Sequence, residues 1–353
     1  MAVPALPGGL SRRDFLRAAA VGGGAVALVD VAGIVLRAGA GAQPSTSPLD
    51  VPGTVHGVAF GQDRAVAVGS LDDRSPASWV RHGSGAWQGI DATAFRGGAL
   101  ADVASVAGGF VAVGSAGRNL TSTPLTTGEP AATESESAPA TDPVMLPTAW
   151  WSDDGTTWNP VALGSAAGHL AAVTARGDEA VAVGCVFTGD ATEGTRPLVA
   201  RSSGGHAWAV VQPTGLGELA EGALVAAALH DDRWYAAAAT VTGSDVWSSP
   251  NGTMWQTVPF RVGEPATLAA LVPSDVGLVA IGATLPDAQP RVWRSDSRVE
   301  AWTRVELPAA LASATSTDQP LLIRGAVSGG ASEAVTFVGE RQGRTVVLEG
   351  EVH

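Results

Sequence analysis

Trp150-Trp151-Ser152-Asp153-Asp154-Gly155-Thr156-Thr157-Trp158 and Trp247-Ser248-Ser249-Pro250-Asn251-Gly252-Thr253-Met254-Trp255 share a framework: Trp-x-Ser-x-Asp/Asn-Gly-x-x-Trp. An Asp or Asn oxygen can accept backbone N–H groups within a tight turn, and the Gly after it permits a positive φ. Ser152 and Ser249 stand where a hydroxyl adds one more bond, so the phrase reads as the tip of a β-hairpin. Weaker copies end at Trp87, Trp208 and Trp302: Ser202-x-Gly204-Gly205 lacks the acid, Arg81-x-Gly83-Ser84 lacks more, and Ser295–Trp302 carries an extra residue. Recurrence at a fixed period points to a repeat architecture.

Working outward, an apolar run ending in a small residue precedes each hairpin: 65–69, 110–114, 180–184, 235–239, 278–282 and, without a hairpin after it, 335–339. Another apolar stretch precedes each run. The pattern predicts units of four short strands, with the tryptophan phrase joining the third to the fourth and the second strand apolar on both faces, as in a central strand. Four-stranded sheets repeated every 40–50 residues or so describe propeller blades. The expected fold is all-β: a six-bladed β-propeller of four-stranded antiparallel blades, with seven blades as the alternative. Nothing resembling a fourth strand follows Thr345–Leu348, whereas Leu49-Asp50-Val51-Pro52 mimics the fourth strand Val305-Glu306-Leu307-Pro308. An N-terminal strand at about 47–52 is therefore expected to complete the last blade and close the ring, removing an exposed edge.

The hairpin phrase resembles the aspartate-box, or BNR, repeat of the sialidase-like propellers. The resemblance runs from about residue 54 onward and implies a structural turn formed by Ser152, Asp154, Gly155, Trp158, Ser249, Asn251, Gly252 and Trp255. It also implies questions about activity, since sialidases use an arginine triad, a Tyr–Glu nucleophile pair and an Asp acid. This chain has a single Tyr, Tyr235, at the start of an apolar strand, and no arginine-led motif near its first unit. No catalytic residue is assigned.

Residues 11–17, Ser-Arg-Arg-Asp-Phe-Leu-Arg, resemble the bacterial twin-arginine export signal; an apolar stretch to Leu36 and small residues at 38–42 follow. Asp30 and Gly22–Gly24 make 18–36 a poor spanning helix. The expected layout is a signal peptide over 1–42 and a propeller over 43–353. Within the propeller, Ser-, Thr-, Pro- and Glu-rich residues 118–147 form a disordered loop insertion. The destination is extracellular or the cell envelope, with no stable membrane insertion once the signal is removed.

The formal charge of −13, with all 21 basic residues Arg, argues against nucleic acid. The lone Cys185 lies in an apolar strand and reads as a packed core thiol. The six His show no metal-binding spacing, so neither metal nor cofactor is expected. Loops joining second to third strands should share one face with the blade-to-blade loops. From them a ligand-binding rim is expected: Arg74, Arg118, Arg196, Asp245, Arg291 and Arg341, with His169 among further loop residues. The functional expectation is a monomeric scaffold binding an unknown protein or glycan ligand; the alternative is a secreted glycan-acting hydrolase or lyase of sialidase-like type. A weaker third reading is an assembly factor for an envelope complex.

Overall fold

The computed structural model describes residues 51–353 apart from 62, 84, 92, 118–143, 189–193, 218–221, 241–242, 275, 286–289, 306–320, 329–333, 342–343 and 352–353. Blade 1 comprises β1 (Thr54–Phe60), β2 (Arg64–Ser70), β3 (Pro76–His82) and β4 (Gln88–Ile90). Blade 2 comprises β5 (Gly98–Val106), β6 (Gly109–Gly117), β7 (Met145–Ser152) and β8 (Asn159–Ala162), and blade 3 β9 (Gly168–Arg176), β10 (Glu179–Phe187), β11 (Thr195–Ser203) and β12 (Ala207–Val211). Blade 4 is β13 (Ala223–His230), β14 (Arg233–Thr240), β15 (Gly243–Ser249) and β16 (Gln256–Val258), and blade 5 β17 (Ala266–Ser274), β18 (Gly277–Thr284), β19 (Pro290–Ser295) and β20 (Trp302–Val305). A last sheet holds β21 (Leu321–Ser328), β22 (Ala334–Arg341) and β23 (Arg344–Glu351).

The first strands lie side by side around the axis: β1 on β5, β5 on β9, β9 on β13, β13 on β17, β17 on β21 and β21 on β1. The second strands of the five four-stranded sheets are buried on both faces; β18 is buried throughout. Such strands lie between two neighbouring blades, which accounts for their unbroken Ala and Val runs.

The expected six or seven four-stranded blades are not what forms. Among the described residues, five sheets have four strands each, in simple meander order, and the sixth has three. Val51 and Pro52, placed in a closing strand by the sequence reading, are not in a strand, and residues 43–50 lie outside the described residues. A short likeness to Val305–Pro308 could not place a strand, because pairing is decided by where the backbone edge lies in space. The signal segment 1–42 also lies outside the described residues, as does nearly all of 118–147; its last residues, Met145–Pro147, begin β7.

Two local devices repeat. Each first strand carries a bulge, between Val55 and Gly57, Leu100 and Asp102, Val183's partner Ala172 and Leu170, Leu224 and Ala226, Leu268 and Ala270, and Ile323 and Gly325. A bulge bends the strand and sharpens its twist, which helps wrap the inner wall around the axis. Facing the bulges are the glycines that end most of the second-strand runs: a Cβ on Gly114 would lie within bonding distance of Ala99 O.

The second device is the hairpin. Asp154 Oδ1 accepts from Thr156 N (2.8 Å), Thr157 N (2.9 Å) and Ser152 Oγ (3.1 Å), while Gly155 N donates to Ser152 Oγ (2.8 Å). Burial opposes ionisation of Asp154, but the hydroxyl of Thr156 and these N–H donors outweigh it and hold the carboxyl well below the ordinary range. Asn251 Oδ1 likewise accepts from Thr253 N and Met254 N, each at 2.9 Å. The closing indole donates to the glycine carbonyl three residues back: Trp158 to Gly155, Trp208 to Gly205 and Trp255 to Gly252.

Each of these glycines sits on the preceding blade. A Cβ at Gly155 would lie 2.5 Å from Val66 Cγ2, at Gly205 2.9 Å from Val111 Cγ2, and at Gly252 3.0 Å from Val181 Cγ2. The three valines occupy equivalent places in their second strands. The hairpin and the apolar run recur together because one is the contact surface of the other across the blade interface.

Candidate functional site

In an antiparallel meander, first-to-second turns and third-to-fourth hairpins emerge on one face, second-to-third loops on the other. The expected rim belongs to the latter. Arg74 lies in the turn Leu71–Ser75 with φ 67 and is exposed. Arg196 and Asp245, exposed on β11 and β15, and the half-buried Arg291 on β19 stand at the loop-side ends of successive third strands. Arg118 lies outside the described residues; Arg341 is placed only as backbone, at the end of β22 opposite Arg344. His169 is not a loop residue: it is the second residue of β9 and is buried.

A groove of about 630 Å³ opens instead on the turn face, between the first-to-second turns of blades 1, 2 and 3. Phe60, Asp63 and Arg64 come from the first turn, Ser105 to Phe110 from the second, Ala175 and Gly177 from the third, and Asp153 from the blade 2 hairpin. Because each turn joins an innermost strand to its neighbour, the groove lies near the axis. Cross-blade bonds hold the turns in register. Arg64 Nη1 donates to Asp154 O (3.0 Å), Ala107 N to Gly177 O (2.7 Å), and Arg176 pairs with Asp232 (3.0 Å).

The electrostatics are balanced. Arg64 grips its neighbour Asp63 through both carboxylate oxygens, at 3.0 and 3.1 Å, so its charge is already matched; that bond holds the Asp63 carboxyl below its ordinary value. Asp153, with 70 % of its side chain exposed, lies 3.5 Å from His206 Nε2, and the His206 ring stands edge-on to Trp151 at 4.1 Å. The groove thus offers carboxylate and hydroxyl acceptors, backbone groups of the Ala107–Gly109 turn and the half-buried Phe60 ring. It carries no unmatched positive charge. Sequence reading missed it because its residues sit in the short turns of separate blades, with no motif among them.

The channel wall contributes a second polar feature. His56 Nδ1 lies 2.6 Å from Leu100 O, and Asp102 accepts from Val103 N (2.8 Å) and from Val173 N of the next blade (2.9 Å). Burial raises the Asp102 carboxyl to about 7, against the pull of those two N–H bonds. Tyr235 is 4 % exposed, in the core cluster between blades 4 and 5, and burial raises its hydroxyl pKa. Among the described residues no group of three or more His, Cys, Asp or Glu is arranged to hold a metal, and no helix is long and apolar enough to cross a membrane.

No protein-family model and no curated protein sequence matches the chain. Solved structures do. The chain superposes on a Trypanosoma rangeli sialidase in complex with the inhibitor DANA, with TM-score 0.50 and 9 % identity over 85 % of this chain and 55 % of that one. It therefore spans about half the length of that sialidase. An alpha-L-arabinanase from Penicillium chrysogenum complexed with arabinobiose matches with TM-score 0.52 and 11 % identity over 87 % and 96 % of the two chains. The fucose-specific lectin from Aleuria aurantia matches with TM-score 0.51 and 11 % identity over 85 % and 95 %. The fold is a β-propeller similar to those of these three structures. At these identities the likeness is one of fold alone.

Proposed function

We propose that this protein is an exported propeller that binds a neutral glycan in the turn-face groove without cleaving it. The observation that carries the reading is the groove itself: about 630 Å³, walled by three blades, with Asp63, Asp153 and Ser105 as hydroxyl partners and Phe60 as an apolar surface. That volume lies within the range of small-ligand sites. A sugar presents hydroxyls to the first group and C–H faces to the second. Because Asp63 already occupies the Arg64 fork, an anionic sugar finds no free bidentate partner there, so neutral sugars are favoured. The fold neighbours support the class: they include a sialidase, an arabinanase complexed with arabinobiose and a fucose-specific lectin. Against a sialidase-type reaction stands Tyr235, the one tyrosine, packed in the core. Export rests on Ser11, Arg12, Arg13, Phe15 and Leu16 and the apolar stretch after them.

A glycan array followed by calorimetry on the best hit tests this. Neutral oligosaccharides should bind, with Asp153→Ala and Phe60→Ala each weakening affinity at least about tenfold. Binding lost instead in Arg74→Ala, Arg196→Ala or Arg291→Ala would move the site to the loop face. Turnover of a fluorogenic glycoside would replace the binding reading with the hydrolase one.

A further inference from the structure

Beside the groove, blade 2 departs from the repeat. Each of the valines that carry the next blade's hairpin faces one third-strand residue across the sheet: Val66 faces Val80, Val111 faces Trp151 and Val181 faces Arg201. The same place holds Ser248 in blade 4 and Arg294 in blade 5. Val80 is buried, and Arg201 lies 3.7 Å from Glu179. Trp151 is the aromatic of the five, and it is half-exposed. The blade 3 hairpin matches it. After the tip glycine the hairpins of blades 2 and 4 have Thr156 and Thr253, whereas this one has His206. The two rings stand edge to face with centroids 4.1 Å apart, and 53 % of the His206 side chain is exposed.

This pair adjoins the groove at two points. Asp153, which lines the groove, lies 3.5 Å from His206 Nε2. A Cβ at Gly205 would lie 3.5 Å from Cγ2 of Val106, another groove residue, and 4.0 Å from Trp151 Cβ.

We propose that Trp151 and His206 form a second sugar subsite, reached from the groove past Asp153, so that the ligand is a linear neutral oligosaccharide. The inference rests on the groove reading above and extends it from a single sugar to a chain. A pyranose has an apolar C–H face and a rim of hydroxyls. The exposed ring surface takes the first, and Asp153 with the His206 ring nitrogens takes the second. The fold itself asks for no aromatic here, since the other four blades use Val, Arg, Ser and Arg at the same place. A half-exposed aromatic at the end of a polar groove is the kind of residue that anchors a ligand.

The test is calorimetry with mono- to tetrasaccharide ladders of neutral β-glucan, xylan, mannan and arabinan. Wild-type protein is compared with Trp151→Arg, Trp151→Val and His206→Thr. Each substitution brings in a residue that another blade carries at that place, and the Tm of each variant checks folding. The readout is the ratio of long- to short-ligand affinity within one ladder. It should reach at least about tenfold in the wild type and fall toward one in the Trp151 variants. His206→Thr should lower it too, and it decides the matter if a Trp151 variant folds poorly. A wild-type ratio near one, or a ratio that survives the substitutions, overturns the subsite, while monosaccharide binding would leave the groove reading standing. Equal weakening of short and long ligands also overturns it, because Trp151 would then act on the groove itself. No binding of any ladder overturns both readings.

Discussion

Replacing Asp102 by Asn isolates a carboxyl that the inner wall keeps partly enclosed between blades 1, 2 and 3. Its pKa goes from 3.8 to about 7 on folding. At about 1.4 kcal/mol per unit, the ionised form opposes folding by up to ~4 kcal/mol. Water reaching the exposed edge of the residue lowers the observable share to ~2–3 kcal/mol. The sign follows from the order of ionisation: the unfolded chain loses its proton first, so stability falls as pH rises from about 4 to about 7 and is level above that. His169 works the other way. Its ring is held at about 4 rather than 6.5, so stability is lost as pH falls through that window. Subtracting the Asp102→Asn curve from the wild-type curve cancels the histidine. Asn supplies one acceptor oxygen for two N–H groups, Val103 and Val173, adding a pH-independent penalty of ~1–3 kcal/mol to the variant. Urea midpoints between pH 4 and 8 give both curves. The wild-type-minus-variant difference should fall by ~2–3 kcal/mol across the window, to near or below zero; parallel curves would refute the burial argument.

Gly155 and Gly204 share a backbone, with φ 75 and 72, but differ in surroundings: a Cβ at Gly155 meets Val66 Cγ2 at 2.5 Å, at Gly204 nothing nearer than 3.8 Å. Gly204→Ala should cost only the left-handed term, ~1–2 kcal/mol, and Gly155→Ala a further ~1–3 kcal/mol for overpacking, measured as chemical stability. Asn251→Asp should strengthen its hairpin by ~0.5–1 kcal/mol at neutral pH, since a carboxylate accepts the Thr253 and Met254 N–H groups more strongly. Held below its ordinary pKa, as Asp154 is, that carboxylate should lose the gain as pH falls below about 4. Tyr235→Phe should leave glycan binding unchanged on the array and affect stability alone, because the ring is core.

The hairpins were legible because their chemistry is local. Ser152, Asp154, Gly155 and Trp158 bond to one another within seven residues, so the spacing carries the geometry. The apolar second strands were legible for the same reason. The groove was not, since Phe60, Ser105, Asp153 and Gly177 are ordinary turn residues until the ring brings three blades together. His169 was read as a loop residue because the sequence does not mark where β9 begins; register with Cys185 decides that.

By itself, then, the sequence determined an all-β repeat, its strand order and its turn chemistry, all set by contacts a few residues apart. The number of complete blades was a tertiary matter. Among the described residues, five four-stranded sheets and a three-stranded one arise from which backbone edges meet around the axis. Tertiary packing also set Gly155 on Val66, Asp102 on Val173 and Cys185 on His169. Two of these contacts cross blade interfaces and the third joins neighbouring strands; burial and charge act there, and no pattern along the chain records them.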